Sequence, residues 1–403
     1  MKRFLRQTLP SGNMATELVD QETENYIIQL RRDFHAEPEL SFQEVKTSQR
    51  VEEELKRLGL SPRRVAGTGI IADLEGSKPG KAVGLRADMD ALPIQEETEV
   101  PFKSRNQGVM HACGHDAHTA MLLGVAKVLT QRKEGLKGRF RFLFQPGEEG
   151  PPGGAILMMK EGATQGIDYV IGQHVGTLYH SKQVGIFYDR MTAANNEFTL
   201  KIDGIGGHAS APHLAVDALV IASQFVTLAQ TIVSRKVDPL EPAVLTFGTF
   251  KSGFRSNVIA SHAELSGTIR SFNQAVADKI KEELHKILDG LCQATGAKYE
   301  LNIEEGYPVL INDEAVSRVI EGVAKDVVGP KHVLHPAPVM GAEDFGRFMT
   351  RQTKGAYYFL GTGNKEKGIT GMNHDPKFDL DEDALKYGAE ILAKSAIILA
   401  SQD

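Results

Sequence analysis

The succession of hydropathy patterns between Glu197 and Ile303 constrains this chain more than any other feature. Glu197 to Ile202 alternates, with Phe198, Leu200 and Ile202 apolar, which is the period of a half-buried strand. An apolar helical stretch covers about Leu214 to Ser234. Strand patterns follow at Ala243 to Phe250 and His262 to Ile269, then a helix from about Asn273 to Ala294 and a strand from Lys298 to Ile303. That order is βαββαβ, the ferredoxin-like split motif. A unit of about 110 residues can enclose its own core. Cys292 shares a helical face with Ile280, Leu284, Ile287, Leu288 and Leu291, and reads as buried core packing.

The flanking sequence is of another kind. Helical patterns run from Glu22 to Ala36 and from the capping box Ser41-Phe42-Gln43-Glu44 to Leu58, with Gly59 suited to the C′ position. Strands are expected at Gly69 to Leu74, Ala82 to Arg86 and Asp168 to Gly172, and a helix at Thr119 to Leu129. Phe140, Phe142 and Phe144 alternate with Arg139 and Arg141, again a strand period. After Tyr307, helices and short strands return up to Ala400. Interleaved strands and helices make this part α/β. The expected organisation is an α/β domain in two parts, 15–193 and 306–403, with the βαββαβ unit inserted at 194–305. Met1 to Met14 reads as a short disordered leader, because Pro10, Ser11, Gly12 and Asn13 interrupt any apolar core of a signal peptide.

Composition removes some functions. A net charge of -6 argues against a nucleic-acid partner. No uninterrupted apolar run has the length of a membrane span, so no membrane partner is expected. The two cysteines, Cys113 and Cys292, lie far apart and suggest free thiols in a reducing, cytoplasmic setting.

Polar residues gather where the strands of the α/β part end, which is where open sheets place their active sites. Arg86-Ala87-Asp88-Met89-Asp90 follows one strand, Gln145-Pro146-Gly147-Glu148-Glu149-Gly150 follows the Phe-rich strand, and His174 closes the strand ending at Gly172. Cys113 and His115 flank Gly114 just before a helix, and thiolate with imidazole suits zinc and its neighbours. Glu148 and Glu149 would point opposite ways in extended backbone, leaving one to bind metal and the other to handle a proton. Each pair alone is a weak signal, since a Cys-X-His is more often a core thiol beside a surface imidazole. The chain has no G-X-S-X-G elbow and no H-E-X-X-H helix, and its glycine runs fit neither a phosphate loop nor a dinucleotide fingerprint.

Four segments in order, Arg86 to Pro93, Met110 to Asp116, Phe144 to Gly150 and Gly206-Gly207-His208-Ala209, resemble the M20 metallopeptidases. The nearest branch is that of the aminoacylases, hippurate hydrolases and related amidohydrolases, and some thermostable carboxypeptidases look similar. The resemblance runs from about Phe34 to Leu385. It implies a two-metal catalytic domain with an inserted lid that dimerises. It further implies Cys113, His115, Glu149, His174 and His374 as metal ligands, Glu148 as general base and His208 as the oxyanion-stabilising histidine. Asn257 and Arg270 resemble substrate-binding residues, while His111 and His118 read as supporting or packing residues. In the wider family a histidine stands where Arg86 is. Two divalent ions are expected, Zn or Mn first and Co or Ni next. The expected reaction is hydrolysis of N-acyl amino acids, with a C-terminal carboxypeptidase on short peptides as the alternative. A non-catalytic metal-binding scaffold and a protease using Cys113 as nucleophile stand behind these.

Overall fold

The computed structural model describes residues 17–402, so the expected leader lies outside the described residues. They divide into two compact units. The first comprises the residues up to Asp189, Asn312–Pro336 and Arg347 onward; the second comprises Arg190–Ile311 and Ala337–Gly346, the latter a segment that no sequence pattern set apart.

The first unit contains α1 (Gln21–Ala36), α2 (Val45–Arg57), β1 (Arg63–Val65), β2 (Gly69–Glu75), β3 (Lys78–Asp88), α3 (His115–Gln131), β4 (Lys137–Gln145), α4 (Gly154–Lys160), β5 (Tyr169–His180) and β6 (Val184–Gly185). After the second unit it resumes with α7 (Glu314–Val328), β15 (Val333–Leu334), β16 (Lys354–Gly363) and α8 (Leu385–Ala400). Its eight-stranded sheet has the order β1-β2-β4-β3-β5-β16-β6-β15. Strands β4, β3, β5 and β16 run parallel, so their carboxyl ends share one edge. Strand β4 is central and almost wholly buried, and Phe140, Leu143 and Phe144 all join the core. Arg141 is buried there too, because Asp73 takes its guanidinium bidentately at 2.7 Å.

Helix α1 is capped by Asp20, which accepts from the Thr23 N–H, and buries Ile27, Leu30 and Phe34. The expected capping box at Ser41 does not form. Helix α2 begins at Val45 with Glu44 at the cap position and no side-chain cap. Ser41 instead donates to Asp90 Oδ2 at 2.6 Å, and Glu44 accepts from the Gly147 N–H at 2.8 Å. For Ser41 a tertiary partner outcompetes the local one, while Glu44 also keeps a local bond from the Phe42 N–H at 2.9 Å.

The second unit contains β7 (Arg190–Thr192), β8 (Ala194–Asp203), β9 (Gly207–His208), α5 (Ala218–Arg235), β10 (Ala243–Ser252), β11 (Val258–Ile259), β12 (His262–Ser271), α6 (Gln274–Thr295), β13 (Lys298–Glu305) and β14 (Leu310–Ile311). Its main sheet is antiparallel, in the order β10-β12-β8-β13. Strand β8 alternates buried and outward residues almost perfectly, burying Phe198, Leu200 and Ile202 against Phe225 of α5 and Leu284 of α6. A buried phenylalanine contributes about 1.5–3 kcal/mol, so Phe198 and Phe225 anchor this core. Cys292 packs on the same core but is only partly buried, since α6 turns that end toward solvent. Contrary to the expectation from uninterrupted runs, α5 is long and apolar enough by length and composition to cross a membrane. It buries Ala218, Ile221, Ala222, Phe225, Ala229 and Ile232 against the sheet.

Candidate metal centre and active site

Strands β3 and β5 pair only as far as Arg86 opposite Gly172, after which β5 continues against β16. His174 therefore stands just past the split, inside β5, and does not close the strand as expected. Cys113 and His115 reach the same place from the start of α3. Gly114 between them has φ +88°, and a Cβ there would lie 2.3 Å from Val175 Cγ2. Only glycine fits that bend.

The histidines are held from behind. His174 Nδ1 lies 2.7 Å from the Val175 carbonyl, and His115 Nδ1 lies 3.0 Å from the Asp90 carbonyl. A carbonyl only accepts, so each Nδ1 carries a proton and each Nε2 is the basic nitrogen, the arrangement of a metal-binding imidazole. His174 Nε2 is 3.4 Å from Cys113 Sγ. His115 Nε2 is buried with no hydrogen-bond partner among the described residues, and so is Glu149 Oε1. Buried polar atoms left this way mark a missing partner.

Donor atoms of Cys113, His115 and His174 all lie within 4.8 Å of one another, and those of Cys113, Glu149 and His374 do the same. The two triads share Cys113. Glu149 Oε1 is 3.2 Å from His374 Nε2. His374 adopts φ +71°, a strained state for a non-glycine residue that is characteristic of functional sites. Its N–H donates to Ala112, and Asn373 donates to the carbonyls of Cys113 at 3.0 Å and Val175 at 3.2 Å. The thiolate, imidazole and carboxylate donors and the orphaned atoms fit a pair of divalent ions of the zinc type.

A third cluster, Asp88 with His115 and His118, fits a metal less well. His118 Nδ1 donates to Asp88 Oδ1 at 2.6 Å, and its Nε2 accepts the Val175 N–H at 2.8 Å. Arg86 donates to the other Asp88 oxygen at 2.6 Å. His118 thus ties Asp88 to the backbone of β5. His111 is buried, and burial holds its pKa down at about 4.

Electrostatics agree with a site that exchanges protons for cations. Burial, then Glu149, pushes the Cys113 thiol up, which is the wrong direction for a nucleophilic cysteine. Burial, aided by His118, pushes His174 well down. Burial opposes protonation of His115, yet Asp88, Cys113 and Asp90 lift it well above the usual imidazole value. Cys113 and Glu149 raise His374 to about 10. Metal binding must displace these protons.

Glu148 is buried in the turn after β4. Its carboxylate and that of Glu149 both reach within 4.8 Å of His115. The two acids do not point opposite ways as expected, because Gly147 at φ +58° bends the backbone out of extension. Asp90 organises the cluster. Its Oδ2 accepts from Ser41 and from the Glu149 N–H at 2.9 Å, and its Oδ1 lies 3.2 Å from His115 Nδ1. Asp88 and Asp90 were legible only as acids after a strand. Ser41 and Glu44 signalled a helix cap rather than a site, and Asn373 carried no sequence signal.

In the second unit, His208 and Asn257 come together: β9 pairs with β11, and Ala209 N–H donates to the Asn257 carbonyl. Both are exposed, and His208 Nδ1 is 2.7 Å from Ser210 Oγ. Arg270 is not brought to them. It lies near the far end of β12, half-buried, with one long hydrogen bond among the described residues, 3.4 Å to the Met340 carbonyl.

The model of Peptidase family M20/M25/M40 matches residues 84–397. This chain belongs to the M20 peptidase family. As an M20 enzyme it is similar along its length to Thermostable carboxypeptidase 2 of Saccharolobus solfataricus, at 43% identity over 93% of this chain and 96% of the relative. The N-acyl-L-amino acid amidohydrolase of Geobacillus stearothermophilus is 47% identical over 75% of this chain and 82% of its own. The crystal structure of the Bacillus subtilis YXEP protein, a dinuclear metal binding peptidase from the M20 family, matches with a TM-score of 0.82 and 31% identity. That match covers 94% of this chain and 99% of the other. The M20 chain described here is thus a metal-dependent amide hydrolase of mixed α/β fold.

Proposed function

We propose that this enzyme hydrolyses the amide bond of N-acyl amino acids, releasing a carboxylic acid and a free amino acid. The observation that carries the reading is the pair of donor triads sharing Cys113, with Glu148 beside them. Cys113, His115, Glu149, His174 and His374 would hold two divalent ions, Zn or Mn before Co or Ni. Bound cations supply a Lewis acid for the carbonyl and lower the pKa of water toward neutrality. Glu148 takes a proton from the attacking water and returns it to the amine nitrogen as the C–N bond breaks. His208, with Asn257 beside it, steadies the charge growing on the carbonyl oxygen, a role worth about 3–4 kcal/mol. Arg270 forks onto the free α-carboxylate. Its half-buried guanidinium, weakly partnered and depressed in pKa by burial, suits an anion arriving from solvent.

Arg270 and the His208–Asn257 pair flank opposite ends of β12, about 25 Å apart at strand rise. One pocket of one chain would not hold both, which favours a homodimer with His208 and Asn257 supplied by a second copy. Strand β10 is a sheet edge with Phe250 exposed, and the neighbouring α5 exposes Leu219, Val220 and Leu228.

The name of the Saccharolobus relative supports a second reading, release of C-terminal residues from short peptides. Metal-free enzyme restored with Mn²⁺, Zn²⁺ or Co²⁺ should cleave N-acetyl or N-benzoyl amino acids faster than N-blocked dipeptides. The reverse order would establish the carboxypeptidase. Activity indifferent to chelation would sink both.

A further inference from the structure

Helix α1 carries two buried polar residues that the reaction does not use. Arg31 is fully buried, and its guanidinium donates to three carboxylates: Asp116 Oδ2 at 3.0 Å, Asp379 Oδ1 at 3.0 Å and Glu382 Oε1 at 3.2 Å. His35, one turn further on, places Nδ1 2.8 Å from the same Asp116 oxygen and Nε2 3.3 Å from Glu96 Oε1. Phe102 lies against both, 4.7 Å below the Arg31 guanidinium and edge-on to His35 at 5.7 Å. Their rotamers are therefore fixed by packing as well as by hydrogen bonds.

The carboxylates they hold adjoin the proposed ligands. Asp116 directly follows His115, and Asp379 belongs to the segment that leaves His374. Asp116 Oδ1 is buried with no hydrogen-bond partner among the described residues. The direction of this carboxylate thus depends on the two α1 side chains that share Oδ2. Arg31 spans from one ligand-bearing segment to the other.

We propose that Arg31 and His35 are positioning residues. Through Asp116 they hold the Cys113–His115 turn, and through Asp379 the His374 segment, in a geometry ready for metal. The proposal rests on the reading of Cys113, His115 and His374 as ligands.

Two replacements of one side chain separate this role from a general brace. His35→Asn sets an amide where Nδ1 stands, keeping the bond to Asp116 and losing that to Glu96. His35→Gln sets it near Nε2, keeping Glu96 and losing Asp116. Metal-free full-length protein is titrated with Co²⁺, following the thiolate-to-cobalt absorption of Cys113. Zn²⁺ affinity is measured against a chromophoric chelator. His35→Asn should bind within about twofold of the unmodified chain, and His35→Gln about tenfold more weakly, as for other residues that orient metal ligands. Metal-free melting temperatures of the two variants should agree. Asp116→Asn, nearly isosteric, should show the same loss and decides the matter if His35→Gln does not fold.

Equal losses in His35→Asn and His35→Gln would overturn the proposal, as would Asp116→Asn binding as tightly as the unmodified chain. A cobalt spectrum without a thiolate band, unchanged in Cys113→Ser, would instead show that the ligand assignment itself fails.

Discussion

At the Cys113 cluster, His115 and His174 are pinned by carbonyls behind them, and the turns that carry the acids are tied by Asp90 and Glu44. At the His208–Asn257 strip, the imidazole is exposed and held chiefly by Ser210, on a two-residue strand. The first region is pre-formed and largely buried, although His374 is exposed and His174 and Glu149 are half-buried. The second has its backbone in place and its side chains in solvent. Preorganised polar groups act most strongly where water is excluded, so the two regions should respond differently to substitution. The contrast separates substitutions that damage chemistry from those that damage the fold.

The largest expected effect tests that separation inside the cluster. Glu148→Gln should lower kcat by about 10²–10⁴, the contribution of a positioned general base, while metal content by elemental analysis stays unchanged. Loss of metal would make Glu148 a ligand. Arg31→Met should cost about 3–5 kcal/mol in denaturant unfolding, because it leaves Asp116 buried without its cation. A loss under 1 kcal/mol would mean that the cluster is less over-determined than its contacts suggest. His208→Ala should lower kcat by about 10²-fold or more and leave stability within about 0.5 kcal/mol, as for exposed residues. A comparable loss of stability would erase the distinction between the two regions.

The smallest effect lies away from both regions and calibrates them. Burial raises the Glu321 pKa, but Tyr188, Lys325 and His335 together bring it down to about 2. A carboxylate depressed in the folded state stabilises it above the unfolded value near 4.5, and the benefit fades as pH falls toward 2. Glu321→Gln should therefore cost about 1–3 kcal/mol at pH 7 and nothing near pH 2. Urea melts across that range measure it. A pH-independent cost would point to packing instead.

Much of this was legible in the sequence because period and punctuation report local structure. Phe198, Leu200 and Ile202 declared β8, and Gly114 between Cys113 and His115 declared a bend before a helix. What stayed hidden depends on tertiary partners. Ser41 looked like a helix cap and is bound to Asp90 instead. His174 looked like a strand end because the apolar run stops at Gly172, whereas in the structure β16 carries the strand on to His180. Arg31 and His35 fall on an ordinary amphipathic helix, and no spacing announces that both grip Asp116. Glu148 and Glu149 converge because one glycine takes a positive φ, which a pattern of residue types does not encode.

Asp90 has a consequence for how such an enzyme changes over evolution. One carboxylate joins the turn before α2, the backbone of Glu149 and the ring of His115. Groups that share a partner respond non-additively to substitution. A change in any of these three segments alters the tolerance of the other two, so single steps toward a new pocket are filtered there. Asn257 and Arg270 share no such node. New substrate preferences should therefore accumulate first in the second unit, where single changes can be tried independently, while the metal cluster changes only in sets.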